Sequence, residues 1–282
     1  MYERTEVELR MKIINLVEDT PTGNGCSCEH GLSFYMETDC HRMLVDVGAT
    51  SLFIDNARKK GINLRNVDTV IISHGHYDHG GGLSAFMEIN PDARIYINEN
   101  AFQPYYHDIY MHCKYIGLDD KISASPQIFK VGNFLKIDDE LTIFSGVKGR
   151  RFWPEGNKEL VMEVNGRIEP DRFEHEQYLV LSYGNKKILM SGCAHNGILN
   201  ILDTYQELFG AVPDIVISGF HMKKKNYQAS DWKTIEYTAE ELSKYRTRFF
   251  TGHCTGEEPF RVMQQIMKEQ IRYIRCGEEF IV

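Results

Sequence analysis

Apolar residues follow two patterns along this chain, and each pattern predicts a different element. Short β-branched runs predict buried strands, and apolar residues at helical spacing predict amphipathic helices. The expected strands are residues 11–17, 32–38, 43–47, 67–73, 94–98, 126–131, 135–145, 159–164, 177–183, 187–191, 214–218, 248–251 and 271–275. The expected helices are residues 51–60, 83–89, 196–208, 231–244 and 257–268.

The order of these elements predicts the fold class. Hairpins come first and strand–helix units alternate afterwards, which favours two sheets packed face to face with helices outside. We therefore expect an α/β protein, a four-layer αββα sandwich of two mixed β-sheets. No stretch rich in proline, glycine and serine divides the sequence, so we expect a single domain over residues 1–282.

The densest cluster of metal-binding residue types comes directly after one of these strands. Within Ser73–Gly82, the residues His74, His76, Asp78 and His79 are spaced as H-x-H-x-D-H. Imidazole nitrogens and carboxylate oxygens are ligands for zinc, iron and manganese. Because side chains alternate along an extended segment, the first two rings point the same way. The motif also lies where a strand ends and a helix begins, which is where α/β proteins keep their chemistry.

Three later strands end in the same way, with a glycine followed by a histidine. These histidines are His195, His221 and His253. Cys193 lies two residues before the first of them, and His30 follows a glycine-rich loop near the start of the chain. If the strand ends meet at one edge, all of these side chains reach the same cleft.

The H-x-H-x-D-H motif after a strand resembles the signature of the metallo-β-lactamase superfamily. Four further segments resemble its 7,8-dihydropterin-6-ylmethyl-4-(β-D-ribofuranosyl)aminobenzene 5′-phosphate synthase-like subgroup, which is related to methanopterin biosynthesis. These segments are EHGLS at 29–33, SGCAHNGI at 191–198, GFH at 219–221 and GHCTG at 252–256. The resemblance covers nearly the whole chain. It implies the four-layer metallo-β-lactamase fold and a metal-dependent enzyme.

The resemblance also implies a site with two metal ions. Its expected ligands are His74, His76 and His195 for one ion, and Asp78, His79 and His253 for the other. Two ions roughly 3.5 to 4 Å apart lower the pKa of a shared water and stabilise charge on the attacked group. Asp78 is expected to be catalytic, accepting a proton from the nucleophile. His221 and His30 are expected to contact the substrate, with a purely structural role as the alternative.

Two positions leave the ligand set open. The superfamily usually carries a metal-bridging aspartate where this chain has Cys193. A thiolate also binds metals, so Cys193 is a further candidate ligand, with an inert buried thiol as the alternative. His175 is another candidate ligand, although a solvated turn histidine is the favoured interpretation. The remaining histidines considered, expected to be ordinary surface or core residues, are His41, His107 and His112.

Composition and net charge limit the classes of binding partner and the cellular compartment that we expect for this protein. The net charge of −8 argues against a general nucleic-acid binder. No apolar run approaches the roughly 18 residues of a membrane span, so no membrane role is expected. Seven cysteines at irregular spacing argue against a disulfide framework and favour the reducing cytoplasm. A homo-oligomer is left open.

We expect a metal-dependent hydrolase with two divalent ions, zinc in the first place and iron or manganese as alternatives. Its substrate is expected to be a small molecule with a phosphate, phosphodiester, ester or lactone group. Basic clusters at 148–151 and 223–225 could steer an anionic substrate toward the cleft, with an ordinary solvated loop as the favoured interpretation of either cluster alone. A pterin or ribosyl-phosphate synthase-type enzyme and a di-iron redox protein are the alternatives. The aromatic segment 102–115 is expected to cover a planar heterocycle, a core edge or a dimer contact.

Overall fold

Two mixed β-sheets of seven strands form the middle of the protein in a computed structural model, which describes residues 11–109 and 112–282. The first sheet has, in spatial order, β18 (Glu279–Ile281), β1 (Lys12–Val17), β2 (Ser33–Glu37), β3 (Arg42–Val45), β4 (Thr69–Ile71), β5 (Arg94–Asn98) and β8 (Ile128–Val131). The second has β17 (Ile271–Tyr273), β16 (Arg248–Thr251), β15 (Ile215–Ile217), β14 (Lys186–Met190), β13 (Gln177–Tyr183), β10 (Leu141–Ser145) and β9 (Phe134–Lys136).

Helices cover the outer face of each sheet. The helices are α1 (Leu52–Lys59), α2 (Tyr77–Gly80), α3 (Leu83–Ile89), α4 (Ile198–Phe209), α5 (Ala229–Ser243) and α6 (Glu257–Met267). Buried side chains of α1 and α3 pack on the first sheet, and those of α4, α5 and α6 pack on the second. A third buried cluster joins the inner faces of the two sheets. The expected four-layer αββα sandwich is therefore confirmed.

A smaller third sheet was not expected from the sequence. Its four strands, in spatial order, are β12 (Arg167–Pro170), β11 (Leu160–Val164), β6 (Tyr105–Ile109) and β7 (His112–Tyr115). The described side chains of β7 and β12 are almost all exposed, so neither strand shows an apolar run. The aromatic segment 102–115 contributes β6 and β7, and Tyr105 is buried in a small apolar cluster. Tyr110, in the same segment, lies outside the described residues.

Most expected elements lie within a few residues of their predicted bounds. The strand expected at 135–145 is instead the hairpin of β9 and β10, because residues 137–140 form its turn. In the part of the chain that the structure describes, no helix is both long and apolar enough to cross a lipid bilayer.

The directions of the strands bring the candidate functional residues to one end of the fold. Strands β14, β15, β16 and β17 run parallel, so their carboxyl ends share one edge of the second sheet. In the first sheet β3 and β4 are parallel, and β1 has the same direction because β2 is antiparallel to both β1 and β3. Loops after these strands therefore meet at one end of the sandwich.

Truncating a side chain between the two sheets should destabilise the protein. Leu179, on β13, is 1% exposed and packs in the inter-sheet cluster. We expect Leu179→Ala to lower the free energy of unfolding by about 3 kcal/mol, because it removes buried contacts and leaves a cavity. Urea denaturation followed by circular dichroism measures this change. Leu208→Ala, on α4 and 49% exposed, is the matched control and should cost less than about 0.5 kcal/mol. Equal losses in the two variants would contradict the assigned core.

Candidate metal centre

The four motif residues lie between β4 and the end of α2. His74 and His76 lie in the loop, and Asp78 and His79 lie on α2. All four side chains are buried. The loop thus removes three imidazoles and a carboxylate from water, and such groups need partners there.

His74, His76 and His195 form one group. The Nε2 atoms of His74 and His195 lie 3.3 Å apart. The ring of His76 has its centroid 4.6 Å from that of His74 and 4.9 Å from that of His195. Its Nε2 is buried and has no hydrogen-bond partner among the described residues, although Asp171 Oδ2 is 3.8 Å away.

Asp78, His79 and His253 form a second group. Asp78 Oδ2 lies 3.3 Å from His79 Nε2 and 3.5 Å from His253 Nε2. The buried Nε2 of His253 also lacks a hydrogen-bond partner within the described residues. His30 lies at the exposed side of this group, with its ring stacked 5.1 Å from that of His253 and its Nε2 3.6 Å from Asp78.

Cys193 lies between the two groups. Its Sγ is 3.2 Å from His79 Nε2. Its sulfur lies within 4.8 Å of the ligand atoms of the second group and, separately, of those of His74 and His195. Gly192 permits this approach, because a Cβ there would overlap Ser73 Oγ.

A hydrogen bond to the far nitrogen of each of three rings fixes its orientation. His79 Nδ1 lies 2.7 Å from Asp46 Oδ2, and His253 Nδ1 lies 2.6 Å from Asp19 Oδ1. His195 Nδ1 lies 3.1 Å from the amide oxygen of Asn157. Such partners select the tautomer and turn Nε2 toward the centre of the site, as is usual around metal-binding histidines.

Two buried glutamates hold the backbone of the later histidines. The amide N–H of His195 donates to Glu176 Oε1 at 2.6 Å, and that of His253 donates to Glu18 Oε1 at 2.6 Å. Ala194 and His253 have positive φ angles of 53° and 46°, which are unfavourable for residues with a side chain. The carboxylates stabilise these turns in the position that the site requires.

Burial and neighbouring charge shift the protonation of the two groups in opposite directions. Burial lowers the pKa of His74 and of His195, and the adjacent imidazoles lower it further. Burial would also lower the pKa of His79, but the Asp78 and Asp46 carboxylates raise it to about 9. Burial would raise the pKa of Asp78, but the charges of the neighbouring His79 and His30 hold it well below its usual range. The second group is therefore an ion-paired cluster.

The favoured interpretation of His175, a solvated turn histidine, is wrong. The side chain is fully buried, accepts the Gly75 amide N–H at Nδ1 (2.9 Å) and lies 3.1 Å from Asp171 through Nε2. The ligand atoms of His76, Asp171 and His175 form a further close group. His221 lies beside the first group, with its ring centroid 4.2 Å from that of His195.

Several residues of the site were missed in the sequence. They are Glu18, Asp19, Asp46, Asn157, Asp171, Glu176 and Cys254. The sulfur of Cys254 lies within 4.8 Å of the Cys193 sulfur and of a ring nitrogen of His221. A usable signal existed for Glu18, Asp19 and Asp46, because each follows directly on an apolar strand of the first sheet. Asn157 lies in a short 3₁₀ helix (Glu155–Glu159) just before β11, and Asp171 directly follows β12, so the position of both depends on the third sheet.

The chain resembles known proteins over almost its full length. The model of the metallo-beta-lactamase superfamily matches residues 27–230. A 7,8-dihydropterin-6-methyl-4-(beta-D-ribofuranosyl)-aminobenzene-5'-phosphate synthase of Methanocaldococcus jannaschii is 28% identical over 295 aligned positions, which cover 95% of each chain. A crystal structure described as a metal-dependent hydrolase of the beta-lactamase superfamily has a TM-score of 0.80 and 28% identity, covering 96% of this chain and 99% of that one.

A more distant structure agrees on the fold. The metallo-beta-lactamase fold protein YhfI from Bacillus subtilis has a TM-score of 0.57 at 12% identity, covering 97% of this chain and 100% of that one. The matching family model, the four-layer sandwich and the buried histidine centre agree, and the chain belongs to the metallo-β-lactamase superfamily.

Proposed function

We propose that this protein is a metal-dependent hydrolase that activates water at a dinuclear site. The ligands would be His74, His76 and His195 for one divalent ion, and Asp78, His79 and His253 for the other. Cys193 would be a further ligand, because its sulfur lies close to both groups. Nitrogen, oxygen and sulfur ligands together suit zinc, with iron or manganese as alternatives.

The observation that carries this proposal is the pair of buried, unpartnered nitrogens. Nε2 of His76 and Nε2 of His253 are both buried without a hydrogen-bond partner in the described structure. A buried polar atom without a partner costs free energy, about 1 to 3 kcal/mol. A metal ion at each group would satisfy these nitrogens, so the donor set fits the expected cofactor.

The protein's own residues would divide the work of hydrolysis. Bound divalent ions lower the pKa of a water and stabilise negative charge on the attacked group. The Asp78 carboxylate would take the proton from the attacking water. His30, whose side chain is 54% exposed above Asp78, lies where a substrate enters and would contact it. His221 would contact the substrate on the other side, beside His195.

The proposed substrate is a small molecule with a phosphate, phosphodiester, ester or lactone group. Steering of an anion by the two basic clusters has less support, because several of their cations are already paired. Arg151 pairs with Asp203, Lys223 with Asp19, and Lys224 with Asp231. A synthase acting on a pterin or ribosyl phosphate is the second candidate, favoured by the name of the Methanocaldococcus jannaschii relative.

Removing a predicted ligand should reduce metal content and activity together. We expect His76→Ala and Asp78→Ala to lower the bound metal from about two ions to about one and to slow bis(p-nitrophenyl) phosphate hydrolysis roughly 100-fold or more. Elemental mass spectrometry and a colorimetric assay measure the two effects. His107→Ala is the control, because this ring lies beside Glu159, 3.1 Å away and outside the centre. Unchanged metal content in folded His76→Ala would remove that residue from the ligand set. A metal-loaded wild type that hydrolyses no ester would favour the synthase.

The carboxylate behind His79 should tune metal affinity. Asp46→Asn weakens the acceptor that orients Nδ1 of His79, so we expect metal affinity to fall about 10- to 100-fold. Competition with a chromogenic chelator gives the dissociation constant. Asp68→Asn is matched, because Asp68 also contacts a histidine, His41, at 2.9 Å but outside the centre. Equal affinity in both variants would contradict the orienting role of Asp46.

The sulfur of Cys193 should be detectable by spectroscopy. Reconstitution with cobalt(II) is expected to give a thiolate-to-cobalt charge-transfer band in the near ultraviolet, because a bound cysteine is deprotonated. We expect Cys193→Ser to remove this band and Cys276→Ser, an equally buried control, to retain it. A band that persists in Cys193→Ser would assign the metal contact to another thiol.

A further inference from the structure

Two cysteine thiols meet beside the candidate metal centre. Cys193 comes after β14, and Cys254 lies in the short 3₁₀ helix His253–Thr255 after β16. Because β14, β15 and β16 run parallel, both cysteines are at the same edge of the second sheet. Their Sγ atoms lie within 4.8 Å of each other, and both residues are buried, free cysteines. The fold therefore joins two thiols that are 61 residues apart in the sequence.

The backbone around Cys254 holds its sulfur beside Cys193. The thiol donates to the backbone carbonyl of Cys193, with 3.6 Å between sulfur and oxygen. The same sulfur accepts the amide N–H of His221 at 3.3 Å. Gly219, two residues after β15, leaves space for it, because a Cβ there would lie 2.4 Å from the sulfur. Contacts from three strand ends therefore determine where this sulfur lies.

The sulfur of Cys193 has a second set of neighbours. It lies 3.2 Å from Nε2 of His79, and it is within 4.8 Å of the ligand atoms of the second group as well as of the Cys254 sulfur. A metal ion binds the thiolate form of cysteine, whereas a sulfur in a disulfide has no thiolate to offer. Cys193 can therefore serve the proposed metal centre or a bond to Cys254, but not both at once.

One neighbour of the two thiols extends to the protein surface. A ring nitrogen of His221 lies within 4.8 Å of both sulfurs, and this residue is only half-buried. Cys254 itself is 6% exposed and Cys193 is 3% exposed. Such limited exposure disfavours large reagents and favours a small, uncharged oxidant such as hydrogen peroxide.

We propose that Cys193 and Cys254 form a peroxide-sensitive dithiol, and that its oxidation to a disulfide takes Cys193 away from the metal centre. The sulfur of Cys254 would attack one oxygen of hydrogen peroxide, which breaks the O–O bond and gives a sulfenic acid and water. The sulfur of Cys193 would then displace hydroxide from the sulfenic acid, forming the S–S bond and a second water. In sum, two thiols are oxidised, one peroxide is reduced to two waters, and both thiol protons end in water.

Closing the bond requires a movement of the two sulfurs. A disulfide has about 2.05 Å between its sulfurs, so the thiols must approach each other. Gly192 precedes Cys193 and Gly256 follows two residues after Cys254, and glycine permits more backbone conformations than other residues. The effect on bound metal rests on the proposed metal centre, whereas formation of the disulfide does not.

Peptide mapping tests the disulfide. Zinc-loaded wild type is treated with hydrogen peroxide, its remaining thiols are blocked with iodoacetamide, and its proteolytic peptides are identified by mass spectrometry. We expect a peptide pair joined through Cys193 and Cys254, which dithiothreitol separates. Cys254→Ser and, independently, Cys193→Ser should lack this pair. Cys276→Ser, the matched control with a buried thiol elsewhere, should keep it.

Competition with a chromogenic chelator measures the consequence for bound metal. We expect peroxide to weaken the binding of one zinc ion to the wild type about tenfold or more, because that ion loses a ligand, and dithiothreitol to restore it. Cys276→Ser should respond as the wild type does. Cys254→Ser should keep its zinc affinity after the same treatment, because its Cys193 has no thiol partner.

The wild-type measurements decide the proposal without any variant that could fail to fold. It is overturned if peroxide-treated, folded wild type has no peptide pair joined through Cys193 and Cys254, although the exposed Cys40 is oxidised in the same sample. It is also overturned if the disulfide forms and the zinc affinity does not change.

Hydrolysis of bis(p-nitrophenyl) phosphate by the reduced, metal-loaded protein separates the two proposals. A reversible disulfide that lowers zinc affinity, in a protein without esterase activity, supports the dithiol and contradicts the hydrolase. Hydrolysis by a protein that forms no such disulfide supports the hydrolase and overturns the dithiol.

Discussion

The structure around the candidate metal centre depends on the free-energy cost of burying polar and charged side chains. Imidazoles and carboxylates that lose water are destabilising unless each finds a partner, and the cost is largest for ionised groups. In the candidate metal centre, these partners lie behind the histidine rings, on the side away from the centre. Asp46 and Asp19 bind the far nitrogens of His79 and His253, and Asn157 binds that of His195. The Nε2 atoms of His76 and His253, by contrast, are buried without a hydrogen-bond partner among the described residues.

A buried glutamate holds the backbone of each of two histidines in the centre, His253 and His195. Glu18 follows β1 and binds the amide N–H of His253, whereas Glu176 precedes β13 and binds the amide N–H of His195. In each case a tyrosine hydroxyl also donates to the glutamate, Tyr273 to Glu18 and Tyr178 to Glu176. A strained turn and a buried carboxylate are thus present together at both strand ends. The hydrogen bonds that each carboxylate accepts offset part of the cost of the strained turn.

Much of the fold and of the candidate site was predictable from the sequence, because many of their residues belong to short sequence patterns. The H-x-H-x-D-H spacing and the strand–Gly–His segments are short-range patterns, so the sequence predicts that His74, His195 and His253 meet at one end of the fold, where the structure places them. The apolar runs of β5, β13 and β16 were equally clear, and their bounds agree with the structure.

The rest depends on contacts between residues far apart in the sequence. His175 has the surroundings of a polar turn, and only the approach of the Gly75 loop shows it as buried. Strands β7 and β12 are exposed and lack a buried apolar face, so pairing within the third sheet defines them rather than composition. Asp46 reaches His79 only because β3 and β4 are neighbours in the first sheet. The folding of the chain depends on such contacts as well, since β1 pairs with β18 and Lys12 lies opposite Ile281 in the first sheet. Contacts of such sequence separation raise the contact order and slow folding, because a long loop must close before they form. On a ribosome, His74 and His79 emerge long before the strand that precedes His253. The nascent chain therefore exposes an incomplete set of these side chains, and the proposed metal centre is complete only when the last strands have docked.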